Sequence, residues 1–341
     1  MFRQDPLNTI MALASGFTPT ALRLAATLKL PDLIDAGHTT VDALAEQTGN
    51  DRQSLGRVLH YMSLLGLFTE TPDKTYEVTE VGRVLHSEHP SGLRRWLNLD
   101  EPSRPMEARF EPAIALLRDA VRTGEPVYEK AWGRPFWDDL AAHPDLDRSF
   151  NSGIARIAAR LVPELARIYD WGSVKHVVDV GGGTGALLAT LLSTHPHLKG
   201  TLLELESAVE QAKDTLAPVI DRCELVAGSF FDPMPAGADV YLIANTLHNW
   251  GDKDALKILR RCVEAAGPGG KVVVVERLLD SGKDPVMASY ADLLMLVLLG
   301  ARERSVEDLR ELGAEVGLKL TGTIGFELPG HWVVEYVVQG D

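Results

Sequence analysis

Two hydrophobic rhythms divide the chain. Up to about residue 173, apolar positions recur every three to four residues, the period of helices buried on one side; beyond it, short β-branched runs alternate with helical stretches, as in a parallel sheet with crossover helices. In the first half, Ala21 to Leu30 reads as an apolar helix broken by Pro31. Thr40 or Thr39 is placed to cap a short helix ending near Gly49. Asp51 is placed to cap a second, in which Leu55, Val58, Leu59, Met62 and Leu65 share one face. Extended pieces at 67–71 and 75–79 flank the turn Pro72-Asp73. In the second half the strand candidates are 176–180, 200–204, 223–227, 238–244, 271–277, 317–325 and 331–338. The turn Leu328-Pro329-Gly330 is short enough to make the last two an antiparallel pair, and an apolar helix is expected over 287–299. The pattern predicts an α/β fold: a Rossmann-like sheet of seven strands, five parallel plus an antiparallel pair, behind a mostly helical N-terminal half. We divide it as 1–90, 91–172 and 173–341.

Helix, turn, helix and a two-stranded wing over residues 40–79 form a winged-helix pattern, which raises DNA binding. Charge argues against it. The 341 residues carry 34 basic and 48 acidic side chains, a net −14, and residues 20–90 hold six Lys/Arg against ten Asp/Glu. Nucleic acid and anionic membranes both need a positive field, so the module is expected to pack against another protein surface. No secretory signal is read in the first residues, MFRQDPLNTI, and the apolar run Leu293 to Leu299 is far short of a bilayer span. Two cysteines, Cys223 and Cys262, suit reduced thiols and a cytoplasmic location better than a disulfide scaffold. Between 91 and 172 the chain is rich in aromatics. Most belong in a core, and Trp132, Phe136, Phe150 and Ile154 are carried forward as candidate walls of an apolar substrate pocket.

The strongest local signal is His176-Val-Val-Asp-Val-Gly181-Gly-Gly-Thr-Gly185, a strand running into a glycine turn and then a helix. Glycines let the backbone approach a ligand, and the free N–H groups at the helix start suit a polar or anionic group. Gly181, Gly183 and Gly185 fit G-x-G-x-G, usual for S-adenosyl-L-methionine, and with Ala186 the stretch also fits the dinucleotide fingerprint. Glu204 ends the next strand, where a carboxylate can accept ribose hydroxyls of either cofactor. Ser229-Phe230, past the third strand, suits an adenine slot. The fourth strand delivers Asn245-Thr-Leu-His248-Asn-Trp250 on the ligand side of the sheet, and Asn249 is placed to cap the helix from Asp252. Imidazole, with a pKa near 6.5, is suited to take a proton from a phenol near 10 during attack. Glu276 ends the fifth strand on the same side. Glu303, in Ala301-Arg-Glu-Arg-Ser305, either orients His248 or makes surface salt bridges with Arg302 and Arg304.

Taken together, GRPFWDDL, FNSGI, VVDVGGGTG, LLELE, GSFFDPMP, LHNW, VVVVERL and GARERS, in that order, give a chain that resembles the class I S-adenosylmethionine-dependent O-methyltransferases of the plant caffeic acid and actinobacterial aromatic polyketide type. The likeness spans nearly the whole chain. It implies His248 as general base flanked by Glu276 and Glu303, and cofactor contacts at Gly181, Gly183, Glu204, Ser229, Phe230 and Asn245. It implies substrate walls at Phe150, Ile154 and Met295, a homodimer through the N-terminal domain, a small aromatic substrate and no metal. Asn249 replaces a frequent Asp, Ser229 a frequent acid, Ile154 a usual Met, and Asn245 the lysine of plant members. Methyl transfer to carbon or nitrogen, or cofactor-bound hydroxylation, decarboxylation or pericyclic chemistry, would use the same fold. A winged-helix regulator is the reading from a different class.

Overall fold

The computed structural model describes residues 6–100, 104–280, 285–327 and 330–340. The expected turn residues Leu328 and Pro329, and residues 1–5 of the expected leaderless start, lie outside them. The chain divides into two compact units, Met1–Pro105 and Met106–Asp341.

In the first unit, helices Val41–Thr48 and Arg52–Leu64 precede strands β1 (Phe68–Glu70) and β2 (Tyr76–Val78), which pair antiparallel. The expected caps form: Thr40 Oγ1 accepts from the Ala43 N–H at 3.2 Å and Asp51 Oδ1 from the Ser54 N–H at 2.8 Å. Leu44, Leu55, Leu59, Met62, Phe68 and Tyr76 make one core. Pro31 does not break the apolar helix as expected. That helix runs Phe17–Thr27, and Pro31 lies in the first turn of a new one, Leu30–Asp35, entered through Lys29 at φ 52°. A first-turn N–H has no intrahelical acceptor, so proline costs nothing there.

The second unit is built on a seven-stranded sheet: β3 (His176–Val180), β4 (Lys199–Glu204), β5 (Cys223–Ala227), β6 (Val240–Ala244), β7 (Lys271–Arg277), β8 (Leu318–Gly325) and β9 (His331–Val338). Their order is β5-β4-β3-β6-β7-β9-β8. β3 to β7 run parallel, and β9 pairs antiparallel with both β7 and β8. The expected seven-stranded α/β sheet is thus present. Alternate residues face opposite cores: Tyr241, Ile243, Val272 and Val274 join Ile258, Leu259 and Leu309 on one side, while Val240, Leu242, Val273 and Val275 join Leu161, Leu188 and Leu191 on the other. Leu161 and Leu165 come from the long helix Pro144–Ile168. Burying them against the sheet joins this helix to the second unit, which begins at Met106. No described helix is long and apolar enough to cross a membrane.

Candidate active site

Because β3 pairs with β4 on one side and β6 on the other, the chain reverses its winding direction beside β3, and the carboxyl ends of β3 to β7 open on one edge. Ligands of open α/β sheets bind at such a switch point. The glycine turn after β3 divides its labour. Gly185 has φ +74°, and a Cβ there would lie 2.7 Å from Leu216 Cδ1, so its bareness serves helix packing. A Cβ on Gly182 would sit 2.3 Å from Asp179 Oδ2. Gly183, at φ +56°, has nothing within 4 Å of a Cβ position, so it faces open space. A Cβ on Gly181 would touch Phe230 and Thr246, at 3.3 and 3.4 Å, which places the ends of β5 and β6 against the loop.

Several polar groups converge there. Glu204, partly buried at the end of β4, accepts from the Leu205 N–H at 2.5 Å, and burial raises its carboxyl above the usual range. Asp179 was not singled out in sequence. It is 1% exposed, and neither carboxylate oxygen has a hydrogen-bond partner among the described residues. Burial, and then the nearby Glu204 charge, push its carboxyl up to about 7. Ser229 Oγ accepts from the Phe231 N–H at 3.2 Å, so part of its capacity is spent within its own turn. Asn245 adopts φ 50°, a left-handed conformation that Asn tolerates better than most side chains.

His248 sits on a single 3₁₀ turn, Leu247–Asn249. Glu276, at the end of β7 and 3% exposed, reaches across to that turn. Its Oε1 accepts from the Thr246, Leu247 and His248 N–H groups at 2.9, 2.8 and 3.4 Å. Its Oε2 lies 2.5 Å from His248 Nδ1. One carboxylate therefore fixes both the backbone and the ring; in the neutral ring Nδ1–H is the donor and Nε2 the free acceptor. Burial disfavours charge on the ring, but the charge and hydrogen bond of Glu276, helped by Glu303, outweigh it and bring His248 up to about 9. Burial likewise pushes Glu276 upward, yet His248 and the backbone donors hold its carboxyl below the usual range.

Glu303 is 4% exposed, so the surface salt-bridge alternative is set aside. Its N–H donates to Asp292 Oδ1 at 2.9 Å, and Oε2 has no partner among the described residues. Burial brings its carboxyl up to about 7, with the His248 charge opposing and the Glu276 charge adding. The neighbouring arginines turn elsewhere, Arg302 to Asp308 at 2.7 Å and Arg304 to Asp252 at 2.7 Å. Donor atoms of His248, Glu276 and Glu303 lie within 4.8 Å of one another, close enough to share a cation, although Glu276 is already committed to four N–H groups. Asn249 does not cap the following helix. That helix starts at Asp252 with Gly251 as its cap residue, because the 3₁₀ turn absorbs Asn249, whose amide donates to Asn245 O at 3.5 Å.

A family model described as the O-methyltransferase domain matches residues 115–319, and one described as the O-methyltransferase dimerisation domain matches 11–88. The chain belongs to the O-methyltransferase family. Among its relatives, the 2,7-dihydroxy-5-methyl-1-naphthoate 7-O-methyltransferase of Streptomyces carzinostaticus is 40% identical over 91% of this chain and 92% of its own. The aclacinomycin 10-hydroxylase of Streptomyces purpurascens is 38% identical over 93% and 85%. The crystal structure of an O-methyltransferase from neocarzinostatin biosynthesis, in complex with S-adenosylmethionine and 2-hydroxy-5-methyl naphthoic acid, matches with a TM-score of 0.76 at 38% identity, covering 96% of this chain and 98% of that one.

Within this O-methyltransferase the aromatic candidates separate. Phe136 is 4% exposed and packed edge-on between Tyr128 and Phe150, at centroid distances of 5.2 and 5.7 Å. Trp132 and Phe150 are partly buried against the same cluster, which includes Val297 and Leu298 of the helix Pro285–Leu299. Trp132 is fixed by its indole N–H to Arg109 O at 3.1 Å and by the Arg109 guanidinium over its ring at 3.9 Å. Met295 is partly buried on that helix, and Ile154 is 47% exposed.

Proposed function

We propose that the protein transfers the methyl group of S-adenosyl-L-methionine to a hydroxyl of a small aromatic natural product, with His248 as the general base. The observation that carries this reading is the His248–Glu276 pair at the carboxyl edge of the sheet, ring oriented and Nε2 free. The residues fit the cofactor. Open space over Gly183, a partnerless carboxylate at Asp179 and the Glu204 carboxylate on the next strand match a ligand with a cationic amino group and ribose hydroxyls. Phe230, against the glycine turn, offers an apolar face for adenine, with Gly181, Ser229 and Asn245 completing the cradle. When bound, S-adenosyl-L-methionine supplies an electrophilic methyl on a sulfonium and leaves as S-adenosyl-L-homocysteine.

The protein's own work is then positioning and proton removal. His248 Nε2 takes the hydroxyl proton as the oxygen attacks. Glu276 holds the ring and stabilises the imidazolium, and Glu303 adds a second carboxyl beside it. Trp132, Phe150, Ile154 and Met295 furnish the apolar walls that select an aromatic ring. No metal is required for these steps. The N-terminal unit, winged-helix in its helix-helix-strand-strand order, joins two copies into a homodimer and binds neither nucleic acid nor membrane. The thiols and the acidic surface suit the cytoplasm.

The experiment is a screen of phenolic and naphtholic acceptors with S-adenosyl-L-methionine, reading S-adenosyl-L-homocysteine and product mass together. Stoichiometric homocysteine derivative and a product 14 mass units heavier, the mass of one added CH₂ (about 14 Da), support methyl transfer; a converted acceptor without it would favour the hydroxylation or decarboxylation alternatives.

A further inference from the structure

A single 3₁₀ turn is a poor platform for a catalytic ring. Two backbone bonds close the Leu247–Asn249 turn, Asn249 N–H to Thr246 O at 3.2 Å and Trp250 N–H to Leu247 O at 3.1 Å, and among the described residues it has no side-chain cap. Glu276 holds its N–H side. Its carbonyl side is held by Arg304, which is 3% exposed. Arg304 Nη1 donates to Leu247 O at 3.0 Å and Nη2 to Trp250 O at 2.9 Å, so the guanidinium takes a carbonyl on either side of His248. Asp252 Oδ1 accepts from Nε at 3.1 Å and Nη2 at 2.7 Å, and supplies the counter-charge that burial requires.

Arg304 is itself held in place. Its carbonyl accepts from the Leu279 N–H at 3.1 Å, and the Ser305–Asp308 capping box fixes the chain immediately after it. The preceding residue, Glu303, is tied by its N–H to Asp292 on the helix Pro285–Leu299. One short arm therefore connects that helix, the second carboxyl beside the ring and the turn that carries the ring.

We propose that Arg304 is a positioning residue for methyl transfer: it fixes the His248 turn from the carbonyl side, opposite Glu276, so that Nε2 is presented at a constant place. A planar fork is needed to take two carbonyls and a carboxylate at once. A lysine ammonium can keep the charge but not this geometry. The proposal rests on His248 acting as the base.

The test is a double-mutant cycle of Arg304→Lys and His248→Ala, with kcat, acceptor KM and cofactor affinity measured for each protein. In the His248 background, Arg304→Lys should lower kcat by roughly 10–100-fold, the scale of an ångström-level misplacement. Acceptor KM and the calorimetric affinity for S-adenosyl-L-methionine should change less than about twofold. In the His248→Ala background the same substitution should cost nothing further, because its effect runs through the ring. An unchanged kcat in Arg304→Lys, an equal loss in both backgrounds, or a parallel loss of cofactor affinity would overturn the proposal. Full activity in His248→Ala alone would overturn the base assignment instead, so the two failures are distinguishable. Should Arg304→Lys not fold, Asp252→Ala makes the same test from the half-exposed side of the guanidinium. It should lower kcat several-fold with cofactor affinity retained, and no change in kcat would count against the proposal.

Discussion

Glu276 and Glu303 are two buried carboxyls beside one imidazole, in different surroundings. His248 and the backbone donors hold the Glu276 carboxyl below the usual range, whereas Glu303 Oε2 has no partner among the described residues and burial brings its carboxyl up to about 7. On the proposed mechanism Glu276 tunes the base. Removing its charge in Glu276→Gln should shift the ascending limb of kcat/KM against pH to lower pH, because the Glu276 charge and hydrogen bond are the largest influences raising His248 toward 9. A limb that stays in place would show that another group sets it. Stability has a matching signature. His248 is raised from 6.5 to about 9, so its contribution is complete below pH 6.5 and is lost as pH climbs through 9. Cofactor-free His248→Gln should therefore lose less stability between those values than the parent, as read by denaturant unfolding. Glu204→Ala should weaken S-adenosyl-L-methionine binding in calorimetry while leaving the fold intact; unchanged affinity would remove Glu204 from the ribose. At this scale the sequence was informative where a residue ended a strand. His248 and Glu276 follow from β6 and β7. Glu303 does not, because it lies on an irregular arm between two arginines, and periodicity is silent about which of three adjacent charged side chains turn inward; Glu303 and Arg304 both do. Asp179 was visible only as a polar residue in an apolar strand, a mismatch between pattern and burial that could have marked it.

The elements that carry these residues are defined by glycines with separate duties. Gly185→Ala forces a Cβ against Leu216 at a positive φ, and should destabilise the unit by about 1–3 kcal/mol as strain and overpacking combine. Gly183→Ala meets no protein atom within 4 Å but carries positive-φ strain, at +56°, so it should cost less stability than Gly185→Ala, about 1 kcal/mol, while also weakening cofactor binding. Equal effects on both measurements at both positions would show that the turn acts as one structural unit. All seven strands of the main sheet were legible: the buried central ones read as near-continuous apolar runs, and the antiparallel last pair as two extended segments around a short turn. Element edges were less so. The 3₁₀ turn displaced the expected Asn249 cap, and Pro31 began a helix where it was expected to end one. In both cases a local signal was correct about a boundary and wrong about which side of it the residue would occupy. Sequence marks Phe136 as aromatic without telling core from pocket wall, and the structure packs it edge-on between Tyr128 and Phe150.

At the scale of the molecule, the acidic charge and the dimerisation-domain match over residues 11–88 point to a protein partner for the N-terminal unit. Leu7, Ile10, Leu13, Phe17 and Leu64 are between 62% and 79% exposed there, large apolar side chains that a second copy would cover. The protein should sediment as a dimer, and Phe17→Asp combined with Leu64→Asp should shift it toward monomer; an unchanged dimer would place the interface elsewhere. On the proposed mechanism one nitrogen, His248 Nε2, takes the proton. The decisive variant is His248→Ala, with single-turnover methylation of an accepted phenol measured alongside calorimetric binding of S-adenosyl-L-methionine. The rate should fall by roughly 10²–10⁴ with affinity nearly unchanged. Methylation at the parent rate would show that His248 is not the base.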